Sequence, residues 1–392
     1  MHTLDMQIIR EGMVRFYASK DKEGKISKEL DIFYNPVMKF NRDISVMLLN
    51  SLDIKGLQIA DIMAGSGVRS LRFLKELNKG KISNITVNDY DKGFDKLFLK
   101  NLRLNVIKYD KKKIFIESKD ANVMLLDSSG FDYIDIDPFG SPNDFLEAAI
   151  VRLSRRGILA VTATDTASLS GTFPDACLRK YWAKPLLNYM MHETGLRILI
   201  RRIQLIGAAH EKALTPIYSY FKDHYFRVYF RCRKGKSFAD DILKQHQYLS
   251  YCNKCMHFRL TYSNDQSGEA LCKNCGFDGE FDRKMNNSTV IAGPLWSGDL
   301  FEEKLAQKML VANKEDVNND FLGMVLQESR IKTFGFYDIH QIARKYKLII
   351  PNFSFLMKRI IEKKYLAART HFSMLGIKSD IPLDDLVKIM KS

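Results

Sequence analysis

Hydrophobic and polar positions change their rhythm along the chain. Between Leu57 and about Ala163, short apolar runs alternate with amphipathic stretches. The runs at 57–62, 84–88, 113–117, 131–136 and 157–163 predict strands, and the stretches between them, 68–78 and 92–105 among them, carry apolar residues at helical spacing. This alternation predicts an α/β fold, a doubly wound, Rossmann-like parallel sheet with helices on both faces.

Upstream, residues 1–35 read as a hairpin or two strands around a turn-like Lys20-Asp21-Lys22-Glu23-Gly24. Pro36 suits the first turn of a helix on which Val37, Phe40, Ile44, Met47 and Leu48 recur at helical spacing. Downstream, 175–207 reads mainly as helix. Residues 216–231, rich in Tyr, Phe and Val around Asp223-His224, read as two strands closing the sheet. A second part begins near Tyr251, with cysteine pairs in 252–275, amphipathic helix over 299–328, and two short helices followed by a hairpin over 336–392. The expected domains are therefore 1–249, a zinc-ribbon-like module at 250–284, and 285–392, the last winged-helix-like from about 330.

Composition narrows the class. A chain of 392 residues with 46% hydrophobic positions can bury a sizeable core. Its 61 Lys and Arg against 46 Asp and Glu leave a net charge of +15, which favours a polyanionic partner. No uncharged apolar run reaches the ~18 residues that span a bilayer. Met1-His2-Thr3-Leu4-Asp5 lacks a positive-then-apolar leader. The expectation is a cytoplasmic protein with no membrane partner. Its oligomeric state is open, and a monomer suffices.

Candidate chemistry gathers at strand ends. Asp61-Ile62-Met63-Ala64-Gly65-Ser66-Gly67 follows an apolar strand and precedes a helix, and two glycines at such a bend let backbone approach a ligand. The third glycine of a dinucleotide fingerprint is absent near Ser70. Asp89 lies just past the second strand, where a carboxylate accepts ribose hydroxyls in doubly wound folds. Asp120-Ala121 lies just past the third, where a carboxylate can accept an adenine amino group. Either Asp taken alone also reads as a helix N-cap. The fourth strand ends in Asp137-Pro138-Phe139-Gly140-Ser141-Pro142, with Ser141 a good N-cap and Pro142 a good first helical residue. These residue types suit methylation of an amine on an aromatic ring. The Asp137 carboxylate and the Pro138 carbonyl accept the amine's two hydrogens, and Phe139 stacks on the base.

Cys252-Asn253-Lys254-Cys255 and Cys272-Lys273-Asn274-Cys275 stand sixteen residues apart, the spacing of a zinc ribbon with four thiolate ligands and no open position. That points to structural Zn2+. Cys177 and Cys232 read as buried small hydrophobes. Near the C-terminus, Ile339, Ile342, Ala343 and Tyr346 make one apolar stripe and Phe353, Leu356, Met357, Ile360 and Ile361 another, both read as core faces. Lys358, Arg359, Lys363 and Lys364 lie opposite the second stripe, and a hairpin over 365–378 is expected to expose Arg369, His371 and Lys378. Helix, helix, hairpin is a winged-helix-like order suited to RNA backbone contact.

Taken together, these segments resemble the tRNA guanine-26 N2-dimethyltransferase family. The likeness runs through Phe33-Tyr34-Asn35-Pro36, Asn41-Arg42-Asp43, Gly67-Val68-Arg69, Asn88-Asp89, Ile136 to Pro142, Val161 to Asp165, Lys222 to Arg227 and Arg369-Thr370-His371-Phe372-Ser373. The resemblance implies two methyl transfers from S-adenosyl-L-methionine to N2 of a tRNA guanine. It also implies cofactor contacts at Arg42, Arg69, Asp89, Asp120 and Ala121, with Arg42 suited to a bidentate grip on a carboxylate. Asp165 and Asp223 are left with structural roles. Two other readings share the motifs: an amino-methyltransferase acting on another RNA or on DNA adenine, and a non-catalytic zinc-containing nucleic-acid-binding protein.

Overall fold

A computed structural model describes residues 6–19, 32–262, 272, 274–276, 289–313 and 318–391. The expected turn at 20–24 lies outside them. The chain forms two compact units, Met1–Thr162 with Tyr229–Lys234, and Ala163–Val228 with Gly235–Ser392.

The first unit opens with β1 (Met6–Glu11) and β2 (Val14–Ser19), an antiparallel hairpin that reverses at Gly12-Met13. A 3-10 turn at Pro36–Met38 leads into α1 (Lys39–Ser51). Strands and helices then alternate as expected: β3 (Leu57–Asp61), α2 (Val68–Glu76), β4 (Ile82–Asn88), α3 (Phe94–Leu104), β5 (Ile114–Glu117), α4 (Ala121–Asp127), β6 (Phe131–Ile136), α5 (Asn143–Arg152) and β7 (Leu153–Ala163). The helix after β6 starts one residue later than expected. Pro142 is its N-cap, and the Ser141 hydroxyl accepts a long bond, 3.4 Å, from the Asn143 N–H.

After β7 come α6 (Thr166–Leu169), α7 (Pro174–Tyr181), α8 (Met191–Ala209), β8 (Lys212–Lys222) and β9 (Tyr225–Lys234). The stretch expected as mainly helix is thus interrupted, with Trp182 ending α7 in the left-handed region at φ +53°. The central sheet runs β5-β4-β3-β6-β7-β9-β8. β3 pairs in parallel with β4 on one side and β6 on the other, so the chain reverses its winding direction there. In open α/β sheets the ligand crevice lies at the C-terminal ends of the strands at that switch.

Beyond the sheet lie α9 (Lys236–Leu243) and a three-stranded sheet in which β10 (His246–Cys252) sits between β11 (Phe258–Thr261) and β12 (Thr289–Trp296). The chain continues through α10 (Glu303–Ala312), α11 (Asn319–Ser329), β13 (Tyr337–Asp338), α12 (Ile339–Tyr346), α13 (Phe353–Glu362), β14 (Ala367–Thr370), β15 (Ser373–Ser379) and α14 (Leu383–Lys391). The β14–β15 hairpin and the two helices before it were legible in the pattern. The short β13 and the closing α14 were not.

Of the three residues expected to be exposed on this hairpin, only Arg369 is. Lys378 is 3% exposed, with its ammonium 3.4 Å from Glu193, a fully buried carboxylate that also binds Arg197 at 2.9 Å and accepts the Gly335 N–H at 3.0 Å. The His371 side chain is equally enclosed, Nδ1 lying 2.7 Å from Glu328, which also accepts the Thr370 hydroxyl at 3.0 Å. A buried charge has to be paired, and here each partner comes from a helix distant in sequence. Cys177 and Cys232 are buried, as read from the sequence.

The N-terminal hairpin is held to the first unit by charge. Glu11, 2% exposed, takes Arg42 bidentately (Nε at 2.8 Å, Nη2 at 2.5 Å), Arg72 at 3.0 Å and the Tyr34 hydroxyl at 3.0 Å. Arg72 goes on to Asp43 at 2.6 Å and Glu76 at 2.8 Å. Burial raises the pKa of Glu11, but the hydrogen bonds and charges of the two arginines outweigh it and bring the carboxyl from 4.5 down to about 2. A depressed carboxyl stabilises the fold fully above its unfolded value and loses that contribution as pH falls toward the folded one. Glu11→Gln should therefore cost about 3 kcal/mol at pH 7. The gap to wild type should shrink between pH 4.5 and 2 in urea unfolding. A gap constant over that window would show that the charge is not what holds the hairpin.

Candidate active site at the strand ends

The turn after β3 is built by crowding as much as by any ligand. Gly65 and Gly67 have φ of +55° and +76°, which glycine adopts without strain. A Cβ on Gly67 would meet Phe98 at 2.4 Å, and one on Gly65 the Phe33 carbonyl at 3.0 Å. The turn's N–H groups are taken by protein. Ala64 donates to the Asn88 carbonyl at 2.9 Å, Gly65 to Asp89 Oδ2 at 2.7 Å, Ser66 to the Phe33 carbonyl at 3.1 Å and Gly67 to the Ala64 carbonyl at 2.8 Å. The segment at Phe33 therefore crosses this turn, and the Phe33 ring packs edge-on against Phe139, centroids 4.6 Å apart.

Asp89 is half-buried. One oxygen takes Gly65 and the other the Asp91 N–H at 3.1 Å. Beside it, Asn88 joins neighbouring loops, donating to the Ile62 and Lys119 carbonyls at 3.0 Å each. Asp120 is the N-cap of α4, its Oδ1 accepting from Asn122 at 2.9 Å and Val123 at 3.1 Å. It is exposed, and Ala121 behind it is buried. Both readings of Asp120 remain compatible, because the cap uses one oxygen only.

Around Arg69, 5% exposed at the start of α2, the structure gathers three carboxylates. Nη2 pairs with Asp137. Nη1 lies 3.3 Å from Asp135, 3.0 Å from the Asn41 side-chain oxygen and 3.1 Å from the Ser45 hydroxyl. Asp135 also accepts the Tyr133 hydroxyl at 2.5 Å, and Asp61 the Ser70 hydroxyl at 2.7 Å. Asp137 is half-buried, Pro138 buried and Phe139 47% exposed. Arg42 does not join this cluster. Its Nε and Nη2 are given to Glu11, and Nη2 also donates to the Asn35 carbonyl at 3.0 Å. Asp165 accepts the Tyr181 hydroxyl at 2.7 Å, and Asp223 forms the β8–β9 turn at φ +51°.

Sequence reasoning missed Asp135, Ser45 and Glu11, and it named Asn41 only within the family-like segment, without a role. Asp135 carried a usable signal, since a carboxylate inside an otherwise apolar buried strand requires a cation nearby. Glu11 carried none, sitting in a hairpin of mixed composition.

The four cysteine sulfurs, Cys252, Cys255, Cys272 and Cys275, lie within 4.8 Å of one another, with Sγ pairs at 3.9 Å (Cys252–Cys275) and 3.5 Å (Cys255–Cys272). A tetrahedron with ~2.3 Å metal–sulfur bonds has edges of about 3.8 Å, so the cluster fits zinc.

Over residues 12–391 the chain matches the family described as N2,N2-dimethylguanosine tRNA methyltransferase. The chain belongs to this family. Among curated relatives of this dimethyltransferase family, a tRNA (guanine(26)-N(2))-dimethyltransferase of Methanosphaera stadtmanae is 34% identical over 396 residues, covering 99% of this chain and 97% of the relative. A tRNA (guanine(26)-N(2)/guanine(27)-N(2))-dimethyltransferase of Aquifex aeolicus is 33% identical, covering 98% and 96%. Among solved structures, Trm1 of Pyrococcus horikoshii in complex with S-adenosyl-L-methionine superposes with a TM-score of 0.82 at 32% identity, covering 98% of this chain and all of that one. Among the described residues of this family member no helix is long and apolar enough to cross a membrane.

The charge balance at Arg69 has a measurable consequence. Burial, together with Asp135 and Asp137, lifts the Asp61 carboxyl from 3.8 to about 6 against the pull of Arg69. A raised carboxyl favours the fold only while protonated, so its ionisation destabilises as pH rises through that range. In cofactor-free protein, Asp61→Asn should raise unfolding free energy by about 2 kcal/mol at pH 8 and change little near pH 4. Equal stability of the two proteins at pH 8 would refute the strain.

Proposed function

We propose that this chain is a tRNA methyltransferase that transfers two methyl groups from S-adenosyl-L-methionine to the exocyclic N2 of guanine 26, giving N2,N2-dimethylguanosine, in the cytoplasm. The observation that carries the proposal is Asp137-Pro138-Phe139 at the end of β6, one strand from the glycine turn of β3, in a chain of this family.

S-adenosyl-L-methionine, when bound, supplies an electrophilic methyl group on a sulfonium. Its proposed seat is the row of strand ends at Asp61, Gly65, Gly67, Asp89, Asp120 and Ala121. The donor set suits it: Asp120 keeps Oδ2 for an adenine amine, and Asp89 is half-exposed beside the turn. Among the described residues, Arg42 keeps Nη1 for a ligand carboxylate once Glu11 has taken its other side. Arg69 borders this seat and fixes Asp137.

The guanine N2 lone pair is delocalised into the ring and is a weak nucleophile. The Asp137 carboxylate and Pro138 carbonyl accept its two hydrogens, orient the nitrogen and raise its electron density, while Phe139 stacks on the base. Each transfer would exchange the sulfonium's carbon–sulfur bond for a carbon–nitrogen bond, leaving the thioether, and would free one proton from N2 for the Asp137 carboxylate to accept. Arg69, paired with Asp137, holds that carboxylate in place for the task. The base has to leave its stack to reach the site.

The proposed organisation is a methyltransferase domain over 1–249, a ribbon at 250–284 and an RNA-binding part over 285–392. The last is winged-helix-like from about 330, a reading supported by the order β13, α12, α13, β14, β15 with β15 central in its sheet. Four cysteine ligands close the zinc shell, so the metal serves the fold and no step of the chemistry.

Incubation with unmodified tRNA and S-adenosyl-L-methionine, followed by nucleoside mass spectrometry, should give N2,N2-dimethylguanosine. Asp137→Ala should lower the rate by at least about a hundredfold while tRNA affinity holds. Methyladenosine in place of the guanosine product would refute the substrate, and an active Asp137→Ala would refute the chemistry. Elemental analysis should find one zinc per chain, lost in Cys255→Ser, and a metal-free wild type would overturn the ribbon.

A further inference from the structure

The apolar stripe of α13 divides in two. Leu356 and Ile360 are 1% and 0% exposed and belong to the core. Phe353 and Met357 are half-buried and Ile361 is 54% exposed, so the rest of the stripe, expected as core, is open. These three residues form the apolar floor of a groove of about 770 Å3 whose rim carries Lys358, Lys364 and Arg369.

We propose that this groove binds one unstacked nucleotide of the tRNA substrate. The inference rests on the tRNA methyltransferase reading above and adds a site outside the methyl-transfer centre. Three features point to that occupant. The Arg369 guanidinium lies over the Phe353 ring, 4.2 Å from its centroid, so an aromatic ring and a planar cation stand together in the groove lining. Unpaired bases are held by such faces. The rim carries three cations against one carboxylate, Glu362, 4.0 Å from Lys358, a balance that complements phosphate. The volume falls in the ~300–1,000 Å3 range of small-ligand sites.

The site is also fixed in advance. Arg369 precedes Thr370 and His371, and both of these are tied to the buried Glu328. The strand that presents the guanidinium is therefore anchored from within. A stripe of apolar residues at helical spacing also suits an amphipathic protein helix, but the positive rim and the planar wall favour a nucleotide.

The test measures binding of an unmodified tRNA transcript by fluorescence anisotropy at several salt concentrations. Phe353→Ala should weaken binding by about tenfold with the salt slope unchanged. Arg369→Lys, which keeps the charge and loses the plane, should weaken it by a similar factor. Lys364→Ala should lower the slope of log affinity against log salt by about one. A fully paired RNA duplex should bind Phe353→Ala and wild type equally, because it offers no base to insert. Phe353→Leu keeps the apolar volume without the ring and is read if the alanine variant melts early.

Wild-type affinity in the Phe353 variants, or full affinity in Arg369→Lys, overturns the proposal. So does equal loss of duplex and tRNA binding, which would mean a structural effect. A wild type that makes no dimethylguanosine undoes the methyltransferase reading. A wild type that makes it, with variants of unaltered affinity, undoes the groove alone.

Discussion

A guanidinium taken out of water has to meet carboxylates where it stands, because an unpaired buried charge costs several kcal/mol. Arg69 is such a group, and its partners define the candidate site. It pairs with Asp137 at the end of β6 and with Asp135 inside it, and it binds Asn41 and Ser45 of α1. The position of the proposed catalytic carboxylate is thus set by the start of α2. That start depends on Gly67 in the left-handed region with the Phe98 ring against it. A turn that looks built for a ligand is in the first instance built for its neighbours.

The same constraint recurs wherever a segment is fastened to a core. Glu11 draws Arg42, Arg72 and Tyr34 to the N-terminal hairpin. Glu193 draws Arg197 and Lys378, and Glu328 draws Thr370 and His371. In each case a buried acid converts a weak local preference into a defined position, since its hydrogen-bond directions admit few arrangements.

For the proposed reaction this matters because catalysis by orientation tolerates little play. A carboxylate and a carbonyl that hold an amine in line have to be placed to a fraction of an ångström, and their supports decide that placement. Asp137 is supported by an arginine that is itself held on four sides. Phe139, half-exposed and touching Phe33, is left able to meet a base.

Strand positions, the sheet class, the glycine turn and the cysteine spacing were determined by the sequence alone. Buried parallel strands read as continuous apolar runs, left-handed turns favour glycine, and a zinc ribbon draws its four thiolates from two closely spaced pairs. Periodicity reports which positions face a core, but not which charges meet there. Arg42 finds Glu11 31 residues away, Arg69 finds Asp137 at 68, and Lys378 finds Glu193 at 185. Those pairings turned two expected surface residues, His371 and Lys378, into core, and packing left part of the α13 stripe open. Only the tertiary structure decided them, because pairing depends on distance in space and on exclusion of water, and neither is written in the order of residues.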